Sequence, residues 1–253
     1  MTEAVLYQQL LVGWTLLAIP VFVLLLFVRA PFGRHARAGW GPTMPNKLGW
    51  VLMESPAVWW FALVFLTGEL TKSPINYFFF AIWMVHYLHR DLVYPLRLHD
   101  RGKRMPVLIG GFAFVFQLVN CYLNAAHLGR LGRTYELSWI ADPRFLVGMA
   151  LFFVGMAINL RADNVLLALR GPGETGYKIP YGGLYRWISC PNYLGEIIQW
   201  VGWAVATWSV AGLSFALWTV ANLVPRALSH HRWYRQEFTE YPRRRRAILP
   251  GLL

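Results

Sequence analysis

The sequence predicts an all-α polytopic membrane protein: a bundle of about seven transmembrane helices, N-terminus outside and C-terminus in the cytosol. Three observations predict it. Of the 253 residues, 57% are hydrophobic and only 14% are charged. A soluble domain carries about 25% charged residues, so this chain lacks the polar surface to face water all round. Its apolar residues gather into long runs, most of which reach the ~20 residues that cross a hydrocarbon core. Finally, its basic residues collect in alternate loops, which sets the orientation.

The first run, 5–28, follows "MTEAVLYQQL", which carries Glu3 and no positive start, so it reads as a retained span rather than a cleaved signal. Arg29, Arg34, Arg37 and Lys47 come after it. The second run, 49–69, holds Glu54 and Pro56. The third, 75–96, ends in "WMVHYLHRDLVYP", and Arg90, Arg97, Arg101, Lys103 and Arg104 lie at or beyond its end. The fourth is 105–126, and the fifth, 144–169, is trailed by Arg161, Arg170, Lys178 and Arg186. The sixth and seventh, 194–209 and 211–229, are divided at Ser209-Val210, and Arg226, Arg232, Arg235 and Arg243 to Arg246 close the chain. Every Lys and Arg except Lys72, Arg130, Arg133 and Arg144 therefore falls on one side, the cytosolic one.

The net charge of +12 points to anionic head groups or a phosphorylated ligand rather than nucleic acid, because the cations border membrane spans. The tail "RRRR" (243–246) reads as such an anchor. Two cysteines, Cys121 in a span and Cys190 in a cytosolic loop, are not expected to pair. No internal repeat or low-complexity linker is visible, so the expectation is one domain. A monomer is expected.

An ionisable group at membrane depth costs on the order of 2.5–3.5 kcal/mol, so each needs a reason. Glu54 sits among apolar residues, where it either caps a helix start or faces a cavity in the bundle. Tyr87, late in the third span, is either an interfacial aromatic or part of the same cavity. Together they suit one chemistry. A carboxyl group in an apolar pocket can stay protonated and donate a hydrogen bond. With a tyrosine hydroxyl beside it, two donors converge on a carbonyl oxygen. Histidine pairs at His86/His89 and His230/His231 raise a membrane di-iron site, but such a site needs more ligands than two pairs supply, so no metal is expected.

Polar residues crowd the cytosolic half. Asn159 and Asp163 lie one helical turn apart, as do Asn192 and Glu196, and Arg226, His230 and Tyr234 form a third such stripe. Amide, acid and arginine mixtures of this kind suit a ligand with a base, riboses and phosphates. The segment "GPGETG" (171–176) spells G-x-G-x-x-G, but no short strand precedes it, and Pro180 and Gly182-Gly183 break any helix after it. It lacks the strand–turn–helix context of a dinucleotide cradle and reads as a loop closing over the ligand.

The run "GMAINLRADNVLLALRGPGETGYKIPYGGLYRWISCPNYLGEIIQWVGWAVATWS", with "RALSHHRWYRQEFTEYPRRRRAILP", strongly resembles the C-terminal domain of the steroid 5α-reductases. "HYLHRDLVYPLRLHDRGKRMP" resembles their third-span segment, and the match covers nearly all of 49–253. The resemblance implies NADPH-dependent reduction of Δ4-3-ketosteroids by a seven-helix membrane enzyme. It implies that Glu54 and Tyr87 bind the 3-keto oxygen, in a substrate site carried by residues 1–104. It implies cofactor contacts from Asn159, Asp163, Arg170, Tyr177, Asn192, Glu196, Arg226, His230 and Tyr234 within 105–253, joined by Arg90, Lys103 and Arg34. Met53 stands where animal members have Gln, which bears on steroid preference.

Three other readings stay open at this point. An enoyl reductase of fatty-acyl or polyprenyl substrates would use the same hydride chemistry in a different apolar tunnel. A membrane methyltransferase using S-adenosylmethionine would have no use for paired carbonyl donors. A scaffold or sterol-binding protein would not need the polar stripes. The compartment depends on the source, the cytoplasmic membrane of a bacterium or the endoplasmic reticulum of a eukaryote.

Overall fold

The computed structural model describes residues 2–31, 33–35, 37–99, 102–169, 171, 174 and 176–253. The chain is mostly helical, and its contacts divide it into two units. The first comprises Met1–Val12 and Ala30–Phe145, the second Gly13–Arg29 and Leu146–Leu253. Among the described residues, five helical stretches are long and apolar enough to cross a membrane: Glu3–Phe27, Asn46–Thr67, Val107–Leu131, Pro143–Ala168 and Val210–Glu237. These correspond to the first, second, fourth, fifth and seventh expected spans. The third and sixth are helical but shorter, for reasons their sequences explain.

In the first unit, α1 (Glu3–Phe27) begins with Glu3 paired to Arg130 at 2.7 Å and Tyr7 donating to the Leu123 carbonyl at 3.1 Å. A two-stranded antiparallel ribbon comes next, β1 (Thr43–Pro45) against β2 (Arg104–Pro106). It departs from the all-α expectation. Each strand is three residues long and ends at a proline that leads directly into a helix, so no alternating pattern announces it. Those helices are α2 (Asn46–Glu54) and α6 (Val107–Ala126).

The second span is broken. Pro56 has no N–H to give the Leu52 carbonyl, and the Ser55 hydroxyl takes that acceptor instead at 3.1 Å. The helix restarts as α3 (Pro56–Thr67), leaving Glu54 at the joint. After it, α4 (Pro74–Leu88) opens with Ser73 and Asn76 in a reciprocal cap. Asn76 is fully buried and also donates to the carbonyls of Leu128 (2.8 Å) and Arg133 (3.1 Å). The third span does not run on as regular helix. Pro95 withdraws an N–H, the ladder widens to a π-turn over His89–Val93 with Tyr94 N–H reaching the His89 carbonyl, and a short α5 (Tyr94–Arg97) ends it.

In the second unit, α7 (Pro143–Ala168) and α8 (Pro191–Thr207) touch backbone to backbone. A Cβ at Gly195 would stand 2.5 Å from the Asn159 nitrogen, and one at Gly155 would strike the Gln199 backbone. Such small-residue contacts are how membrane helices approach when no hydrophobic force drives them together. The sixth span stops at Trp208, which takes a left-handed conformation (φ 45°), and Ser209 then caps α9 (Val210–Glu237) by accepting from Gly212 N–H at 3.0 Å. The division therefore falls at Trp208-Ser209, one residue earlier than the apolar runs suggest. The later part of α1 docks on α9: Thr15 bonds Ser214 at 2.8 Å, and Trp218 donates to the Trp14 carbonyl at 2.9 Å.

Candidate functional site

Glu54 and Tyr87 belong to the first unit, in which α3 packs on α4. Trp83 donates to the Ala57 carbonyl at 3.0 Å and stacks on Phe61 at 4.2 Å. Further along, Phe65 meets Phe80 at 4.6 Å and Tyr77 at 5.6 Å. Numbers rising along α3 meet numbers falling along α4, so the two helices are antiparallel. Glu54 lies just before this packed pair, at the joint where α2 gives way to α3.

Tyr87 is 3% exposed, its ring 4.9 Å from that of Trp83 and edge-on to His86. Glu54 Oε2 accepts from Gln117 Nε2 at 2.6 Å, across from α6. Ser55, the residue at the start of α3, makes no side-chain cap bond there. Gln117 itself is not among the residues that sequence reasoning singles out. It heads a buried polar face of α6, with Asn120, Cys121 and Asn124 following at helical spacing. Arg90, expected at the cofactor, lies in the π-turn with its guanidinium 5.1 Å from the Trp50 ring and 4.9 Å from that of Tyr94. Lys103 precedes β2 and its carbonyl accepts from Asn46 N–H at 3.0 Å. Its neighbour Arg104 is bound to Thr43 through Nε (2.7 Å) and Nη2 (2.6 Å).

The remaining expected residues belong to the second unit. The close approach of α7 and α8 brings three of them together. Asn159 donates to the Asn192 carbonyl at 3.0 Å, and Asn192 donates to Asp163 Oδ1 at 3.1 Å. Asn159 and Asp163 are buried, and Glu196 lies one turn beyond Asn192, half-buried. On α9, His230 Nε2 bonds the Tyr193 hydroxyl at 3.1 Å, and Arg226 reaches Asn222 one turn before it, also at 3.1 Å. Tyr177 packs edge-on to Trp233 at 5.0 Å. Tyr234, by contrast, is 2% exposed and stacks on Tyr241 at 5.2 Å within an apolar cluster that includes Ile179 and Phe238. Arg170 lies outside the described residues.

Of "GPGETG", Gly171, Glu174 and Gly176 are described. Glu174 Oε2 accepts from Gly171 N–H at 2.9 Å and pairs with Lys178 at 2.6 Å. A carboxylate thus occupies the amide that a phosphate cradle would use, and among the described residues 176–182 no helix opens.

Sequence reasoning also misses a polar knot that ties the chain's end to the start of α8. Ser189 Oγ bonds His231 Nδ1 (2.6 Å) and the Tyr241 hydroxyl (2.7 Å), while Ser189 and Cys190 N–H donate to the Arg246 and Ala247 carbonyls. Of the basic tail, Arg243, Arg244 and Arg246 are exposed, whereas Arg245 is 2% exposed, its guanidinium 4.9 Å from the Tyr181 ring and 5.1 Å from that of Tyr241. Burial pushes the Tyr241 hydroxyl above the usual tyrosine pKa. Cys121 and Cys190 are not joined in a disulfide. Among the described residues, no three His, Cys, Asp or Glu side chains converge as a metal site would need.

Known proteins share this sequence over most of its length. Residues 103–253 match the sequence family described as 3-oxo-5-alpha-steroid 4-dehydrogenase. The chain is 42% identical to Steroid 5-alpha-reductase DET2 of Gossypium hirsutum, covering 98% of each chain. It is 40% identical to 3-oxo-5-alpha-steroid 4-dehydrogenase 1 of Bos taurus, over 94% of this chain and 93% of that one. To the Homo sapiens protein of the same name it is 41% identical, over 87% and 85%.

Proposed function

The chain belongs to the 3-oxo-5-alpha-steroid 4-dehydrogenase family, oxidoreductases that act on a CH–CH bond, and on that premise we propose how its own residues reduce the Δ4 double bond of a 3-oxo-Δ4-steroid. The observation that carries the reading is the joint at Glu54, a carboxyl group that accepts from the buried amide of Gln117, with the buried Tyr87 in the same unit. Neutral Glu54 and Tyr87 donate to the C3 carbonyl oxygen. Negative charge grows on that oxygen as C5 gains a hydride and the enolate forms, so the two donors bind the transition state more tightly than the ground state. C4 then takes a proton from solvent, and the ketone is restored.

NADPH is the proposed hydride source. The donor set of the second unit fits it in kind: the amides of Asn159 and Asn192, the carboxylates of Asp163 and Glu196, His230, and Arg226 for phosphate. Tyr177, Tyr234, Arg90, Lys103 and Arg170 complete the proposed set, with the cations meeting the 2′-phosphate. The chain is proposed to cross the bilayer seven times, α4 with its extension and α8 supplying the two shorter crossings. The N-terminus is then outside and the basic loops are cytosolic.

Incubating the purified protein with NADPH and a Δ4-3-ketosteroid should yield a product heavier by two hydrogens, with NADH a poorer donor. An unchanged steroid mass, or equal kcat/KM for both cofactors, counts against the corresponding half of the reading. Asn192→Ala and Asp163→Ala should each weaken NADPH binding by roughly tenfold, the scale of one hydrogen bond to a charged or polyhydroxyl ligand, with little change in steroid affinity. Titration of NADPH by fluorescence checks this, and unchanged affinity in both variants removes these residues from the cofactor site.

A further inference from the structure

The amide on Glu54 does more than fill its hydrogen-bonding capacity. Gln117 lies inside α6 at membrane depth and is 6% exposed, a placement that a polar side chain holds only with partners on both ends. Its partners differ in kind. Cys121, one turn further and fully buried, donates its S–H to Gln117 Oε1 at 3.7 Å. That contact points the amide oxygen down the helix and turns the NH₂ toward Glu54, whose Oε2 it meets at 2.6 Å.

Carboxylic acid chemistry gives that contact a consequence. A neutral carboxyl group has one carbonyl oxygen, a good acceptor, and one hydroxyl oxygen, which donates its proton. An N–H fixed on one oxygen favours the carbonyl form there and leaves the proton to the other. We propose that Gln117 is a positioning residue for the steroid reductase. By donating to Oε2 it keeps the Glu54 proton on Oε1, oriented as a donor to the 3-keto oxygen. The inference rests on the reading of Glu54 as a neutral donor given above. Gln117 touches neither steroid nor cofactor in this scheme, and acts only through Glu54.

A substitution cycle on the full-length protein tests it. Gln117→Met keeps the volume and removes the amide, so kcat should fall about tenfold while the NADPH dissociation constant holds. In a Glu54→Ala background the same change should cost almost nothing, because no carboxyl group remains to orient. Gln117→Asn keeps the amide but draws it back by one methylene, and should lose as much as Met, which guards against a folding defect in either variant. Infrared difference spectra supply a readout that a packing role would not move. The protonated carboxyl stretch assigned by its loss in Glu54→Gln should shift in Gln117→Met. If Gln117→Met costs the same with or without Glu54, or leaves kcat and that stretch in place, the positioning role is wrong while the Glu54 reading stands. If Glu54→Ala itself leaves kcat intact, the underlying reading falls and this inference with it.

Discussion

Tyr87→Phe should lower kcat by about 10²–10³ at saturating NADPH, the usual effect of removing one donor aimed at developing oxyanion charge in a dry site. The substitution is a clean probe. Tyr87 is 3% exposed and its ring packs 4.9 Å from Trp83 and 4.9 Å from His86, contacts that phenylalanine keeps. Antiparallel packing of α3 on α4 rests on Trp83, Phe61, Phe65 and Phe80 and is untouched. Folding and NADPH affinity should therefore hold while turnover collapses, and the steroid KM should rise less than kcat falls, because the bond strengthens chiefly in the transition state. A kcat within about twofold of the parent, at undiminished stability, would assign the ring to packing alone.

The sequence is most legible where one physical demand dominates. Apolar length alone locates the helices, since a chain in hydrocarbon must satisfy its backbone internally. It says less about where they break. Pro56 and Pro95 are visible, but whether the freed carbonyls are met by a hydroxyl, as Ser55 does for Leu52, or by a π-turn depends on neighbours that hydropathy ignores. Stripes on single helices are readable because helical spacing is local, and Asn159, Asp163 and Asn192 do meet. The contact that joins them is not readable, because Gly155 and Gly195 look like nothing but weak helix formers until α7 and α8 are laid together. Gln117 escapes for a different reason. It carries no charge, so the cost of ionisable groups at membrane depth does not single it out. Yet Gln117, Asn120, Cys121 and Asn124 form a buried polar face whose helical spacing is plain in the sequence. The knot of Ser189, His231 and Tyr241 has no such local signal, and neither does the inward turn of Arg245.

Glu54 should separate two mechanisms through a pair of substitutions. As a neutral donor, Glu54→Gln keeps both the shape and the logic of the site. The new amide oxygen accepts from Gln117 Nε2, as Oε2 does at 2.6 Å, and the new NH₂ donates in place of the carboxyl proton. Activity should fall only modestly, by about tenfold, because an amide is a weaker donor than a carboxylic acid. Glu54→Ala removes the donor, leaves a cavity at the joint between α2 and α3, and strips Gln117 Nε2 of this acceptor. The loss should reach about 10²–10³ in kcat, with a lower melting temperature from the exposed defect. An ionised base would behave otherwise: neither Gln nor Ala could accept a proton, so both would be equally inactive. Equal losses in the two variants, measured on one steroid at saturating NADPH, would therefore overturn the donor assignment and leave Tyr87 as the sole polariser of the carbonyl.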